Sequence, residues 1–478
     1  MKSLCRALLC VTLCGLAGAS FGQDVRLPER TRVVLDNGVT LVLAEKHEVP
    51  LIGVEAVLEG GAITDPGSQA GLSALLAGLL EKGAGTRDAA AFAEAVAAVG
   101  GTLSAGADLE AITVSGEFMS RDADLMVELL ADMLQRPALA EDEFDKLKNR
   151  AAEFIRAAKD SNLGALVPLY GRALLFGQHA YGRPVSGSEA SLAAIRHADV
   201  QRHYEAQLGA DRLVIAVAGD FDTAAMQAKL TDAFAGWRAA AQPLHEVPPP
   251  APLTGRRVLL VDKPGATQTY FWLGNVGVAV TYPQRAELDI ANTVFGGRFT
   301  SILNNALRIE SGLTYGAFSS LSRHAAPGSL AIYSFTETAS TMAAVDMALD
   351  LLGAFRTSGI DAAQVTSAKN YILGQFAPRL ETAAQLAGAF AELEQYGLGT
   401  DYIDGYGPAV AAAEAASINA VIAEVYPVPA DLAIVLLGDA EKMRDAAAGY
   451  GPVVEMPITE PRFKAPAAEP AVAGQRSK

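Results

Sequence analysis

Histidines are the first residues to test for chemistry, because imidazole serves both as a metal ligand and as a general base near neutral pH. The chain has six: His47, His179, His197, His203, His245 and His324. Zinc normally takes at least three protein ligands, and a helical zinc motif places two of them one turn apart. No two of these histidines are three residues apart on one helix, and none stands near a glutamate at metal-ligand spacing. His197 and His203 are six apart and flank the start of a helix, which is poor geometry for a shared ion. Each histidine therefore reads as an isolated surface residue. Cys5, Cys10 and Cys14 are the only cysteines, so thiolate nucleophiles, zinc ribbons and iron–sulfur clusters lack ligands beyond the first residues. No G-x-S-x-G is present to start a serine triad. The Gly-Gly pairs at 60–61, 100–101 and 296–297 have neither a Walker lysine nor the Rossmann spacing, and read as tight turns. Residue types alone give no self-sufficient active site.

Composition narrows the class. Half of the 478 residues are hydrophobic and 19% are charged, which excludes a disordered chain and supplies cores for two to four domains at about 100–200 residues each. Acidic residues outnumber basic ones 54 to 38, for a net charge of −16. Such a chain repels phosphates, and its 7% aromatic content offers few stacking platforms, so nucleic acid is not an expected partner. Lys2 and Arg6 precede an apolar run from Ala7 to Ala19, followed by Ser20 and Gly22. This reads as a signal peptide over 1–22, too short to span a membrane. It predicts a periplasmic or secreted protein whose mature chain has no cysteine. Removing Lys2 and Arg6 takes the net charge to −18. No other apolar run approaches 18 residues without a charge or turn signal, so no stable membrane insertion is expected.

The elements that would position any site come in two copies. DRLVIAVAGD (211–220) is echoed by DLAIVLLGD (431–439), and VTLVLAEK (39–46) by RVLLVDK (257–263), at nearly the same offset. Two matches at one spacing indicate a duplicated module of about 220 residues. The expected domains are 27–240 and 257–450, joined by a Pro-rich linker at 241–256 and followed by a disordered tail at 457–478. Asn37-Gly38 between apolar runs is a hairpin signal. Leu72, Leu75, Leu76, Leu79 and Leu80 form one apolar stripe on a helix over about 68–82. Strands arrive both in hairpins and split by helices. The fold class is therefore α+β: two homologous halves, each a mostly antiparallel sheet covered by helices.

Several segments, in order, resemble the insulinase/pitrilysin-like peptidases, which include the mitochondrial processing peptidase and bacterial relatives. They are GAITDPGSQAGLSALLAGLLEKGAGTR (61–87), GGTLSAGAD (100–108), LFGQHAYGRPVSGS (175–188), DRLVIAVAGDFD (211–222) and FGGRFTSILNNALRIESGLTYGAFSS (295–320). The resemblance spans residues 27–445 and implies a clam-like pair of halves facing a chamber. It also explains the missing chemistry. The family's zinc helix carries H-x-x-E-H, and the matching positions here read Ala74, Ala77 and Gly78. The family's third ligand, a glutamate, falls near Glu153-Phe154, and one carboxylate alone cannot hold zinc.

The second-half signature LRIESGLTYG is intact, with Arg308 at a helix end and Tyr315 after the Gly312 turn. In two-chain members of the family, the subunit lacking the zinc motif contributes such an arginine and tyrosine to the shared chamber. The resemblance thus implies a non-catalytic subunit that binds no cofactor itself. Zinc is expected in a homologous partner subunit, and the substrate is a peptide. A plainer role for the pair is an ion pair of Arg308 with Glu310 or Glu143, and a core position for Tyr315. Two other functions stand beside the first: a catalytically dead peptide-binding or assembly protein of the same fold, and a self-sufficient hydrolase, for which no site is found.

Overall fold

Asp36, Asn37 and Gly38 turn the chain between β1 (Thr31–Val34) and β2 (Thr40–Glu45), with Gly38 at φ +99°, where a Cβ would be strained. The computed structural model describes residues 25–464 apart from His245. The expected signal peptide at 1–22 and residues 465–478 of the expected tail lie outside the described residues.

β3 (Leu51–Glu59), β4 (Thr102–Ala107), β5 (Ala111–Met119) and β6 (Leu213–Gly219) complete a sheet in the order β1-β2-β6-β3-β5-β4. Only β2 and β6 run parallel. The second half builds its own sheet from β7 (Arg257–Asp262), β8 (Gln268–Val276), β9 (Thr314–Leu321), β10 (Ser329–Glu337), β11 (Ala433–Gly438) and β12 (Val453–Pro457). Its order is β9-β10-β8-β11-β7-β12. Read in reverse, five strands match the first sheet one for one. The edge strand differs: β1 pairs antiparallel with β2, whereas β12 comes from the C-terminal end and pairs parallel with β7. The fold is α+β with two like halves.

Seven helices frame the two cores and the clefts on them: α1 (Leu72–Leu80), α2 (Glu141–Ser161), α3 (Leu163–Phe176), α4 (Arg285–Phe295), α5 (Thr341–Ser358), α6 (Ala362–Phe376) and α7 (Ala383–Gln395). The leucine stripe of α1 is buried in the first core. α5, the longest apolar helix, sinks Ala344, Val345, Ala348 and Leu352 into the second. Two helices cross between halves. α3 lies on β8 and β11 of the second sheet, and α7 lies on β3 and β6 of the first. They start about 220 residues apart, so they are equivalents in the repeat. Leu386, Ala387, Phe390 and Ala391 of α7 close a core with Val42, Ala44, Val57, Ala216 and Ala218. On the other side, a Cβ on Gly171 of α3 would stand 2.4 Å from the Trp272 ring, so only glycine allows this approach.

Other contacts tie the halves. The Glu110 carboxylate of the first half accepts from Tyr181 Oη and, at 3.0 Å, from the Ala325 N–H of the second. The linker is not a free spacer. Leu253 is buried and exchanges hydrogen bonds with the Asn275 side chain at 2.8 and 2.9 Å, and the Pro248 carbonyl lies 2.7 Å from His179 Nε2. The expected tail also starts too early. Residues 457–464 strap back over the first half, with Ile458 and Phe463 buried, Phe463 edge-on to Tyr170 at 5.1 Å, and the Glu460 carbonyl accepting from Lys159 Nζ at 2.7 Å. Their apolar residues, hidden among prolines, have a core to enter.

Candidate functional site

α1 is held at its start by Asp65. This buried carboxylate accepts from the N–H groups of Gly71, Leu72 and Ser73 at 2.9, 3.1 and 2.9 Å, and from Ser73 Oγ at 2.6 Å. It thereby satisfies donors that the first turn of a helix leaves free. Burial pushes the Asp65 carboxyl up to about 6, against the pull of those hydrogen bonds. Behind it, His203 is itself buried, with Nε2 3.0 Å from Ser73 Oγ and 3.7 Å from Asp65 Oδ1. Burial drives its pKa down to about 4. His203 is thus a neutral core residue and not the surface histidine its spacing suggested. Polarity in the sequence around it carried no sign of this, because residues far away in the chain, Thr64 and Ser73, pack against it.

The cleft between α1 and α2 is where the zinc motif would stand. It is a pocket of about 280 Å³, walled by Ala74, Leu75 and Gly78 of α1 and by Leu147, Ala151 and Phe154 of α2. Ala77 points away and is buried. Of the two neighbours aligned with the third ligand, Phe154 faces this pocket, while Glu153 is exposed and does not line it. The ligand positions therefore read methyl, hydrogen and phenyl. These residues do not fit zinc. Among the described residues no three His, Cys, Asp or Glu side chains are grouped to hold a metal ion.

Arg308 and Tyr315 come together in the second half. Ile302–Asn304 form a short helical turn that widens into a π-helix over Asn305–Glu310, and Gly312, at φ +66°, reverses the chain into β9. π-turns and β-bulges both re-aim side chains. β9 has an irregular register against β10 between Thr314 and Ala317, and Tyr315 on it is 74% exposed. The Arg308 guanidinium sits 4.4 Å from the Tyr315 ring centre and 4.8 Å from that of Phe299, which is exposed as well. Asn304, fully buried, fixes all three segments. Its Nδ2 donates to the Phe299 carbonyl at 2.7 Å, and its Oδ1 accepts from the Ala317 N–H at 3.3 Å. The ion pair expected of the plainer reading does not form among the described residues: Glu143 pairs with Lys146 at 2.6 Å. Tyr315 is likewise no core residue. Phe299 was missed in the sequence; its only signal was its place two residues after the Gly296-Gly297 turn.

The remaining described histidines are dispersed. His47 lies between Asp220 (2.8 Å) and Glu45 (3.1 Å), whose hydrogen bonds raise its pKa. His179 and His197 contact backbone carbonyls, and burial lowers the pKa of His324 at the junction near Glu110.

Comparison with known proteins agrees with this geometry. The profile of the family described as "Insulinase (Peptidase family M16)" matches residues 41–188, and that of "Peptidase M16 inactive domain" matches 194–372. An uncharacterised zinc protease of Mycobacterium leprae is 28% identical over 364 residues, covering 75% of this chain and 81% of its own. A protein of Helicobacter pylori described as a non-peptidase homolog is 23% identical over 352 residues, covering 72% and 79%. Among solved structures, a peptidase M16 inactive domain from Pseudomonas fluorescens superposes with a TM-score of 0.80 at 21% identity, covering 86% of this chain and 98% of its own. The periplasmic protease PqqL of Escherichia coli superposes at 0.74 and 14% identity, with 87% of this chain covering 46% of PqqL.

Proposed function

The chain belongs to the insulinase family of peptidases, M16, and on that premise we propose that it is the non-catalytic subunit of an exported, two-chain zinc peptidase. Its signal peptide takes it to the periplasm or beyond, where it pairs with a homologous zinc-bearing subunit and completes that subunit's peptide-cleaving site with Arg308 and Tyr315. One observation carries the reading: the motif positions of the zinc cleft hold no metal ligand, while Arg308 lies half-buried between two exposed aromatic rings.

Amide hydrolysis builds negative charge on the carbonyl oxygen. Fixed donors aimed at that oxygen, or at a neighbouring substrate carbonyl, are worth about 10²–10³ in rate. A guanidinium offers a rigid fork of donors at every working pH, and the Tyr315 phenol adds a neutral one. The rings of Phe299 and Tyr315 hold the Arg308 side chain in place, so little is lost in ordering it when substrate arrives. This chain brings no metal to the reaction.

The test mixes wild-type, Arg308→Ala or Tyr315→Phe chains with the zinc-bearing partner and follows peptide cleavage beside complex formation. Each variant is expected to assemble normally and to turn over about 10²-fold more slowly for the arginine, less for the phenol. Full activity in an intact complex removes that residue from the site. The naming of a relative as a non-peptidase homolog favours a second reading, a peptide-binding or assembly protein of the same fold with no part in catalysis. It predicts that no partner gains activity from this chain, whatever stands at 308 and 315.

A further inference from the structure

The second half has its own version of the vacated cleft. α4 and α6 pack together as α1 and α2 do, and take the same places in the order of strands and helices. Between them, and bounded by the loop after β9, lies a pocket of about 310 Å³. Its wall is polar. Asn292 and Asp289 come from α4, Arg323 from the loop, Gln375 from α6, and Arg379 from the turn that follows α6.

The charges do not balance. Asp289 is the one carboxylate among the lining residues, and both its oxygens are engaged: one by Arg323 Nη2, the other by Tyr406 Oη at 2.9 Å. Arg323 is largely buried, and its Nε has no hydrogen-bond partner. Arg298 stands behind the lining Tyr371, with its guanidinium 5.9 Å from that ring. It spends Nη1 on the Ser367 carbonyl at 3.2 Å, and its Nε too is buried without a partner. Arg379 is exposed and forms no ion pair among the described residues. Two guanidinium groups, of Arg323 and Arg379, thus line a cleft whose one carboxylate is spent, with a third, of Arg298, behind Tyr371, in a chain where acids outnumber bases 54 to 38.

We propose that this cleft binds a carboxylate. Arg379 meets it from the rim, the guanidinium of Arg323 in the wall and that of Arg298 behind Tyr371 add positive charge, and the side-chain amides of Asn292 and Gln375 take its remaining lone pairs. A singly charged carboxylate fits better than a phosphate dianion, because Asp289 keeps its own charge in the wall. The carboxylate is either an acidic side chain or the C-terminus of a peptide. The turn through Gly297 and Arg298 leads directly to Phe299, which packs on Arg308, so one extended peptide reaches both places. That the carboxylate arrives on a peptide rests on the function proposed above; the preference for a carboxylate does not.

Calorimetry on the whole mature chain, without any partner subunit, tests it with four probes at low salt. They are Ac-Ala-Ala-Asp-Ala-Ala-NH2, N-acetylated penta-alanine with a free C-terminal carboxylate, the same penta-alanine as its C-terminal amide, and inorganic phosphate. At least one carboxylate peptide is expected to bind about tenfold or more tightly than the neutral amide, with the margin shrinking as salt is added. Whichever of the two binds more tightly identifies the source of the carboxylate. Arg379→Gln, which breaks no ion pair among the described residues, and Arg298→Gln should each reduce that margin at least severalfold, while circular dichroism shows the fold kept. Arg121→Gln, an exposed cation of the first half outside the cleft, should leave the margin unchanged; none of these measurements requires Arg308, so a failed turnover test there does not touch this inference. Equal binding of the neutral peptide overturns the proposal, as does an undiminished margin in the Arg298→Gln, Arg379→Gln double variant, or tighter binding of phosphate than of either carboxylate.

Discussion

The clefts α1/α2 and α4/α6 descend from one repeat and have opposite characters. The first is lined by Ala74, Gly78, Leu147 and Phe154; the second by Asp289, Asn292, Arg323 and Gln375. Their volumes are nearly the same, so the helices keep their spacing whatever lines them. What holds α1 in place is not its outer face but its leucine stripe and the Asp65 cap, neither of which the zinc ligands ever supplied. Loss of chemistry on one side of a helix leaves packing on the other side untouched. In the first half, substitutions should therefore show up in stability, and in the second half around Arg308 in function.

The strongest way to break that contrast is Leu76→Asp. Leu76 is fully buried, and an unpaired charge there should cost about 4–5 kcal/mol, read from urea unfolding. A cost below about 1 kcal/mol would mean that α1 is not a core element.

Acid should expose the same dependence. His203 has its pKa lowered from 6.5 to about 4, so the stability it contributes is present above the unfolded value and is lost as pH falls from 6.5 through 4. Asp65, raised to about 6, has the opposite sign: its share is present below the unfolded value and disappears as pH rises through 6. Comparing wild type with His203→Gln isolates the histidine. The wild type's advantage should shrink by on the order of 3 kcal/mol between pH 7 and pH 4. A constant difference would place His203 in contact with water.

Rebuilding the first cleft sharpens the comparison further. Ala74→His and Gly78→His together with Phe154→Glu should bind zinc and gain about 2–3 kcal/mol of stability at zinc near 100 times its Kd. The histidine introduced at position 78 has to displace Leu147, whose side-chain end lies 3.3 Å from the new Cβ. The same two histidines with Phe154 kept should bind no better than wild type. Binding without the Phe154 change would return Glu153 to the ligand position. The smallest effect belongs to the other half: Tyr315→Phe should move stability by less than about 0.5 kcal/mol, since its side chain is exposed, and Arg308→Ala, half-buried between two rings, by no more than about 1 kcal/mol.

Much of this was legible in the residues. The repeat, the Asn37-Gly38 hairpin and the α1 stripe are local patterns of turn chemistry and period, and each survives in the fold. The absence of metal-ligand side chains from the motif positions was legible too, since Ala74, Ala77 and Gly78 carry no donor atom on their side chains. The choice between Glu153 and Phe154 was not. Neighbours on a helix point about 100° apart, and only the packing of α2 on α1 decides which one faces the cleft. The exchange of α3 and α7 was hidden for a related reason: an apolar stripe declares that a face is covered, but not by which half. His203 and the arginine cleft were equally silent, being assembled from segments far apart in the chain.

That exchange bears on how the molecule can be taken apart. A fragment ending before the linker would leave Val42, Ala44, Val57, Ala216 and Ala218 bare of α7, and its own α3 would have no second sheet to rest on. The repeat is therefore a unit of ancestry and not a unit of folding. A nick in the 241–256 segment should leave two pieces that stay together and melt in a single transition, and either piece made alone should aggregate through the face it cannot cover for itself.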